Sequence, residues 1–192
     1  MDTTEVQQAL HDIGWPIRVD GTPGAETRGA VAAFQLGFTF AELVPDGVPG
    51  PLTQAALVDC IDNPDGRRPG ACAEFFDFAE FASKGNGWIK VHPRLLNRLD
   101  ALRRSVGHPL AVISGYRDPA HNTEIGGKPN SQHLYGTACD VETGLALQGL
   151  TDLGFSGIGL AAGLGVHVDV RAEGPSNTTG ASVGNPTVWH YS

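Results

Sequence analysis

Two imidazoles and one carboxylate, His133, Asp140 and His167, restrict the folding of this chain more than any other feature. They lie in the stretches NSQHLYGTACD at 130–140 and VHVDVR at 166–171, and SGYRDPAHN at 114–122 adds Arg117. His133 and Asp140 are seven residues apart. On a continuous helix that is about 10 Å of backbone, and on a continuous strand more than about 20 Å. Donors bound to one metal ion at about 2.0–2.2 Å must lie within about 4.4 Å of each other. Joint use of the two side chains therefore needs a bend, and Gly136 stands between them to supply it. Read alone, the pair also fits a loop histidine and a turn aspartate. In VHVDVR, Val166, Val168 and Val170 alternate with His167, Asp169 and Arg171, which predicts a strand with a buried valine face. His167 and Asp169 then share the other face, roughly 7 Å apart, a pattern that a solvated polar face also produces.

Charge and hydropathy narrow the function classes. The chain carries 21 acidic against 13 basic residues, a net charge of −8, with no dense Lys/Arg cluster. That argues against a nucleic-acid partner, since phosphate binding is driven by clustered cations. No apolar run reaches the roughly 18 residues of a transmembrane helix, so no membrane span is expected. The start, MDTTEVQQAL, lacks the basic and apolar regions of a signal peptide. Either an export signal has been removed or the protein reaches its target by another route, such as lysis from within. The three cysteines, Cys60, Cys72 and Cys139, form no CxxC, which disfavours a thiolate metal site. Cys60 and Cys72 could form a disulfide, or all three could be free and buried. Cys139, next to Asp140 on a strand, should point into the core.

The first 58 residues hold an internal repeat. DGTPGAETRGAV at 20–31 and DGVPGPLTQAAL at 46–57 share D-G-x-P-G-x-x-T-x-x-A, offset by 26 residues. Asp-Gly turns feed helices, and Pro51 sits at a first helical position, where its missing N–H costs nothing. An earlier helix is predicted from about Val6 to Ile13, with Thr4 and Gln7 as a capping box. With the AVAAFQ segment, these elements resemble the small three-helix peptidoglycan-binding domain. The resemblance implies a bacterial wall partner. The composition of DCIDNPDGRRPG at 59–70 predicts a linker, giving units at 1–58 and 71–192.

Within the second unit, Glu74–Ala82 reads as a short buried helix rich in Phe, and Pro93–Val106 as an amphipathic helix closed by Gly107. A strand is expected at Leu110–Ser114 and a helix at Pro119–Ile125. A second strand at Ala138–Glu142 and a helix at Gln148–Leu153 come next, then strands at Phe155–Leu160 and Val166–Arg171. Short strands with non-repeating connections predict an α+β fold with an antiparallel sheet. The terminal VWHYS, with His190, reads as a frayed tail, and His121 as packing on the helix after Arg117.

The set SGYR…HN…GG…NSQHLYGTACD…VHVDVR resembles the zinc D-alanyl-D-alanine carboxypeptidases and related wall endopeptidases, the LAS-type family whose fold is shared with lysostaphin-type enzymes and hedgehog domains. The motif S-x-H-x-x-G-x-A-x-D is matched at Ser131, His133, Gly136, Ala138 and Asp140. The resemblance implies zinc held by His133, Asp140 and His167, and an Arg117 that meets the substrate carbonyl or carboxylate. It implies substrate contacts at Ser131 and Tyr116. Many members place an acid three residues before the last ligand, where this chain has Leu164. Asp169 is then the general base, or a group that orients His167. The expected function is hydrolysis of peptidoglycan stem peptides, by a carboxypeptidase, an endopeptidase or a phage-type endolysin, acting as a monomer at the wall or outside the cell. The alternative is a non-catalytic wall-binding protein that keeps zinc for stability.

Overall fold

The computed structural model describes residues 1–62, 65–177 and 179–191. Three helices, α1 (Thr3–Asp12), α2 (Ala25–Gly37) and α3 (Pro51–Asp62), form the N-terminal part. The capping box of α1 is built by Asp2 and Glu5: Asp2 accepts from the Glu5 N–H and Glu5 accepts from the Asp2 N–H. The expected Thr4–Gln7 box is thus displaced, because Gln7 is buried and committed elsewhere.

Gln7 explains the repeat. Its amide nitrogen lies 3.0–3.1 Å from Asp20 Oδ1, the Thr22 carbonyl and Thr27 Oγ1, and its oxygen accepts from the N–H groups of Asp20 and Gly21. Gln35 repeats the arrangement, facing Asp46 Oδ1, the Val48 carbonyl and Thr53 Oγ1 while accepting from the Gly47 N–H. Each D-G-x-P-G-x-x-T loop is therefore tied to the preceding helix by one buried glutamine. Gly47, at φ 75°, cannot carry a side chain, since a Cβ there would lie 2.7 Å from the Arg28 carbonyl.

Helix α3 runs to Asp62, four residues into the stretch whose composition predicts a linker. Asn63 and Pro64, also part of that stretch, lie outside the described residues. The N-terminal helices share one core cluster with the C-terminal part of the chain. Trp15 and Phe34 pack on Phe78, with ring centroids 4.7 and 5.5 Å apart. The Phe-rich segment that reads as a helix over 74–82 is a single 3-10 turn at Phe78–Phe81. Its aromatic side chains are drawn in several directions by tertiary packing rather than along one helical face. Cys60, Cys72 and Cys139 are free and buried.

The remaining elements are α4 (Pro93–Val106), β1 (Val112–Ser114), α5 (Pro119–Glu124), a 3-10 turn at Gln132–Tyr135, β2 (Ala138–Val141), α6 (Leu147–Asp152), β3 (Gly157–Ala161), β4 (Leu164–Asp169) and β5 (Thr187–His190). Helix α4 matches its predicted bounds, with Pro93 in its first turn and Gly107 in the left-handed conformation at its end. The sheet order is β1-β2-β4-β3-β5. Four strands pair antiparallel, but β5 runs parallel to β3, so the sheet is mixed and the expectation of a purely antiparallel one is corrected. The reason is the long return after β4, which brings the C-terminal segment back to the free edge of β3 in the same direction. Of the terminus expected to fray, Val188–His190 belong to that edge strand, and Ser192 lies outside the described residues.

Candidate metal centre

Sheet register creates the site. Asp140 on β2 and His167 on β4 are direct cross-strand partners, which puts both side chains on one face. His133 arrives from the 3-10 turn before β2. The chain reverses there through Gly136, at φ 70°, where a Cβ would lie 2.5 Å from the Lys90 carbonyl. This is the bend that the spacing of His133 and Asp140 demands.

Three donor atoms converge. His133 Nε2 lies 3.2 Å from Asp140 Oδ1 and 3.2 Å from His167 Nδ1, and His167 Nδ1 lies 2.7 Å from Asp140 Oδ1. Ligands around one tetrahedral zinc ion stand about 3.3 Å apart. The remaining ring nitrogens are held from behind. His133 Nδ1–H donates to the Gly115 carbonyl at 2.7 Å, and His167 Nε2–H donates to Asp169 Oδ2 at 3.3 Å. Each ring thereby turns a lone pair toward the same point. The donor set of two neutral imidazoles and one carboxylate, with backbone and carboxylate support behind it, fits zinc.

Electrostatics favour a cation there. Burial raises the Asp140 carboxyl, but hydrogen bonds and charge from both histidines outweigh it and hold the group well below the usual carboxylate range. Burial lowers His133. Burial also acts to lower His167, yet Asp140 and Asp169 on either side raise it overall; the field that draws a proton to this ring also draws a metal ion. Asp169 is fully buried, and its hydrogen bonds from His167 and Arg171 overcome burial to bring it to about 2.

The triad opens into a cleft of about 620 Å³. Arg117 lines it, donating through Nε to Ser114 Oγ at 2.9 Å and pairing with Asp140 Oδ2. Ser131 also lines it, as do Lys128, Arg171, Trp189 and Tyr191. Tyr116 does not: it faces a separate cavity beside α2, because consecutive residues of this extended segment point opposite ways. Asp169 sits behind His167, on the ring edge away from the convergence point, with its oxygens turned to His167 and Arg171. Leu164 is half exposed at the start of β4, and Asp140 is the acid among the described residues lining the cleft. His121 is part of α5 and lies against Gly85, and His190 points away on the exposed face of β5.

Sequence reasoning missed Trp189 and Tyr191. The Trp189 ring lies 4.9 Å from that of His167, with the Arg171 guanidinium 5.1 Å over it. A β-branched and aromatic run, TVWHY, bounded by Asn-Pro was the available strand signal. Gly159 makes room for this wall, since a Cβ there would meet Tyr191 at 2.6 Å and Trp189 at 2.8 Å.

An α+β fold thus presents two imidazoles and a carboxylate, a donor set that could hold a metal ion, in a cleft also lined by Arg117, Lys128 and Arg171. Residues 73–148 match the family model described as Peptidase M15, and residues 2–57 the one described as "Putative peptidoglycan binding domain". Residues 73–148 are thus similar to the M15 peptidases, and residues 2–57, ahead of that segment, to a peptidoglycan-binding domain. It is similar to the zinc D-Ala-D-Ala carboxypeptidase of Streptomyces albus G, with 29% identity over 143 residues covering 68% of this chain and 52% of the relative. The chain thus spans about half the length of that curated relative.

Proposed function

We propose that the protein is a zinc-dependent peptidase that cleaves stem peptides of bacterial peptidoglycan, acting at the wall or outside the cell as a D-alanyl-D-alanine carboxypeptidase. The observation that carries this reading is the convergence of His133 Nε2, Asp140 Oδ1 and His167 Nδ1 within 3.2 Å of one another at the floor of a cleft. His133, Asp140 and His167 would hold the ion, which supplies a bound water of lowered pKa and a Lewis acid for a carbonyl. The name of the Streptomyces relative, a zinc D-Ala-D-Ala carboxypeptidase, supports the same bond.

The chain's own residues do the rest. Arg117 stands beside Asp140 with a planar, permanently charged fork, suited to a carbonyl oxygen that gains charge or to a terminal carboxylate. Lys128, on the rim, adds a second cation for that carboxylate, which favours release of a terminal residue over internal cleavage. Ser131 offers its hydroxyl to the peptide backbone. Asp169 holds the Nε2 proton of His167 and so fixes its tautomer; its burial and its contacts favour orienting the ring over abstracting a proton from the cleft. Residues 1–58 act as the wall-binding unit, 59–70 as the connection and 71–192 as the peptidase unit. Among the described residues no helix is long and apolar enough to cross a membrane.

Mass spectrometry of purified muropeptides, incubated with the protein with and without a chelator, tests the reading. Chelator-sensitive loss of one alanine residue from pentapeptides is expected, and His133→Ala and His167→Ala should lose both zinc and activity. Cleavage of cross-linked dimers alone would make it an endopeptidase. Full zinc occupancy with unchanged muropeptides would overturn the enzyme in favour of a wall-binding protein stabilised by zinc.

A further inference from the structure

A second cavity, of about 360 Å³, lies on the seam between α2 and the peptidase half. Its size falls in the range of small-ligand sites, and seams between structural units are where such sites concentrate. One wall is α2, which turns Gly29, Ala32 and Ala33 outward, so the helix surface there is low and smooth. Trp88 abuts this wall at Gly29, where an added Cβ would be in van der Waals contact with Trp88 Cη2 at 3.9 Å, and lines the cavity beside that contact. Its half-buried indole is a flat apolar platform. Lys90 and Tyr116 complete the lining, and no acid is among the described lining residues. The polar side-chain groups are thus the Trp88 indole N–H, an ammonium with donors only and a phenol that can donate.

The cavity is coupled to the metal centre by the backbone. Tyr116 lines it while Arg117, the next residue, lines the metal cleft. The Lys90 carbonyl lies against Gly136, the turn between His133 and Asp140, and the His92 N–H donates to the Gly136 carbonyl. The seam cavity is therefore on the reverse side of the turn that carries the first ligand.

We propose that this cavity is a glycan subsite that takes an N-acetylated hexosamine unit of the strand whose stem peptide enters the metal cleft. The Trp88 indole would stack on the apolar face of the ring, and the small α2 residues leave room for an acetamido methyl. Lys90 and Tyr116 would donate to carbonyl and hydroxyl oxygens, the acceptors in which such a sugar is rich. This deepens the peptidoglycan reading and rests on it, and it gives Tyr116 a substrate contact away from the cleft.

Two measurements test it on the full chain. First, the peptide-free disaccharide of N-acetylglucosamine and N-acetylmuramic acid is titrated into the ¹⁵N-labelled protein. A saturable shift of the Trp88 indole N–H is expected, with affinity weakened about ten-fold or more by Lys90→Ala and by the space-filling Gly29→Leu, a loss on the scale of one interface anchor. Second, the ratio of kcat/KM for disaccharide-pentapeptide over the free pentapeptide is compared between wild type and these variants. The wild-type ratio should exceed one and fall to one in both. Gly29 is exposed and Lys90 is only half-buried, so the variants keep the fold. An unmoved Trp88 resonance, or a ratio unchanged by both substitutions, overturns the subsite. Hydrolysis of free pentapeptide is read separately: if it proceeds while the disaccharide is ignored, the subsite fails and the enzyme stands. If the disaccharide binds and nothing is hydrolysed, the reverse holds.

Discussion

Replacing Asp169 by Asn separates two roles that the strand pattern leaves open. The carboxylate is fully buried, and its Oδ2 lies 3.3 Å from His167 Nε2. Asn keeps the shape but removes the charge that makes this hydrogen bond a strong one. A hydrogen bond to a charged group contributes about 1.5–3 kcal/mol and a neutral one about 0.5–1.5. The difference, on the order of 1–2 kcal/mol, corresponds to roughly a ten-fold loss of zinc affinity, the lower end of the range known for partners behind metal-bound histidines. Competition against a fluorescent zinc chelator measures the affinity, and hydrolysis of a pentapeptide is followed at saturating zinc. An orienting Asp169 predicts weaker zinc with most turnover recovered at saturation. A general base predicts unchanged affinity and a turnover loss of about 10²–10⁴. The latter result would refute the geometric argument, because it would need the carboxylate to reach the cleft past the ring it now supports.

Other consequences rest on the same contacts. Gln35→Leu should destabilise the fold by about 2 kcal/mol or more, since it strands the buried Gly47 N–H and Thr53 hydroxyl, each worth about 1 kcal/mol or more; Gln8→Ala, whose amide donates to exposed Asp12, should change the urea midpoint little. Zinc at a thousand-fold excess over its dissociation constant should add about 4 kcal/mol of stability, read as a fall in melting temperature on chelation. Arg117→Ala should retain zinc by metal analysis while losing turnover by about 10²-fold or more. Asp118 accepts from Ser83, and this with its backbone bonds holds its pKa below 3.8 against the opposing effect of burial. A depressed carboxyl stabilises above its unfolded pKa and loses that contribution as pH falls through the folded value. The stability gap between wild type and Asp118→Ala should therefore be full at neutral pH and shrink below about pH 4 in acid titrations monitored by circular dichroism.

Much of the site could be read from the chain, because its signals are local. Pro93 and Gly107 mark the two ends of α4 by backbone chemistry alone, and the valine alternation in VHVDVR requires a strand that puts His167 and Asp169 on one face. The need for a bend between His133 and Asp140 follows from bond lengths. The capping box lies elsewhere than the local pattern predicts because Gln7 is claimed by the Asp20 loop, a contact that no window around the helix contains. The Phe-rich segment departs from a helix for the same reason: Phe78 answers to Trp15 and Phe34, distant in sequence.

Residue types and spacing thus determined by themselves which side chains could meet a metal ion and which elements would carry them. Tertiary structure decided who faces whom. Register set Asp140 opposite His167, a parallel return of the C-terminus raised the Trp189 wall, Tyr116 was turned to the seam, and Asp169 was placed behind the ring instead of in the cleft. The physical reason is that backbone preferences act over a few residues, whereas side-chain convergence depends on strand pairing and packing between segments far apart in the chain, where a shift of one residue reverses every face.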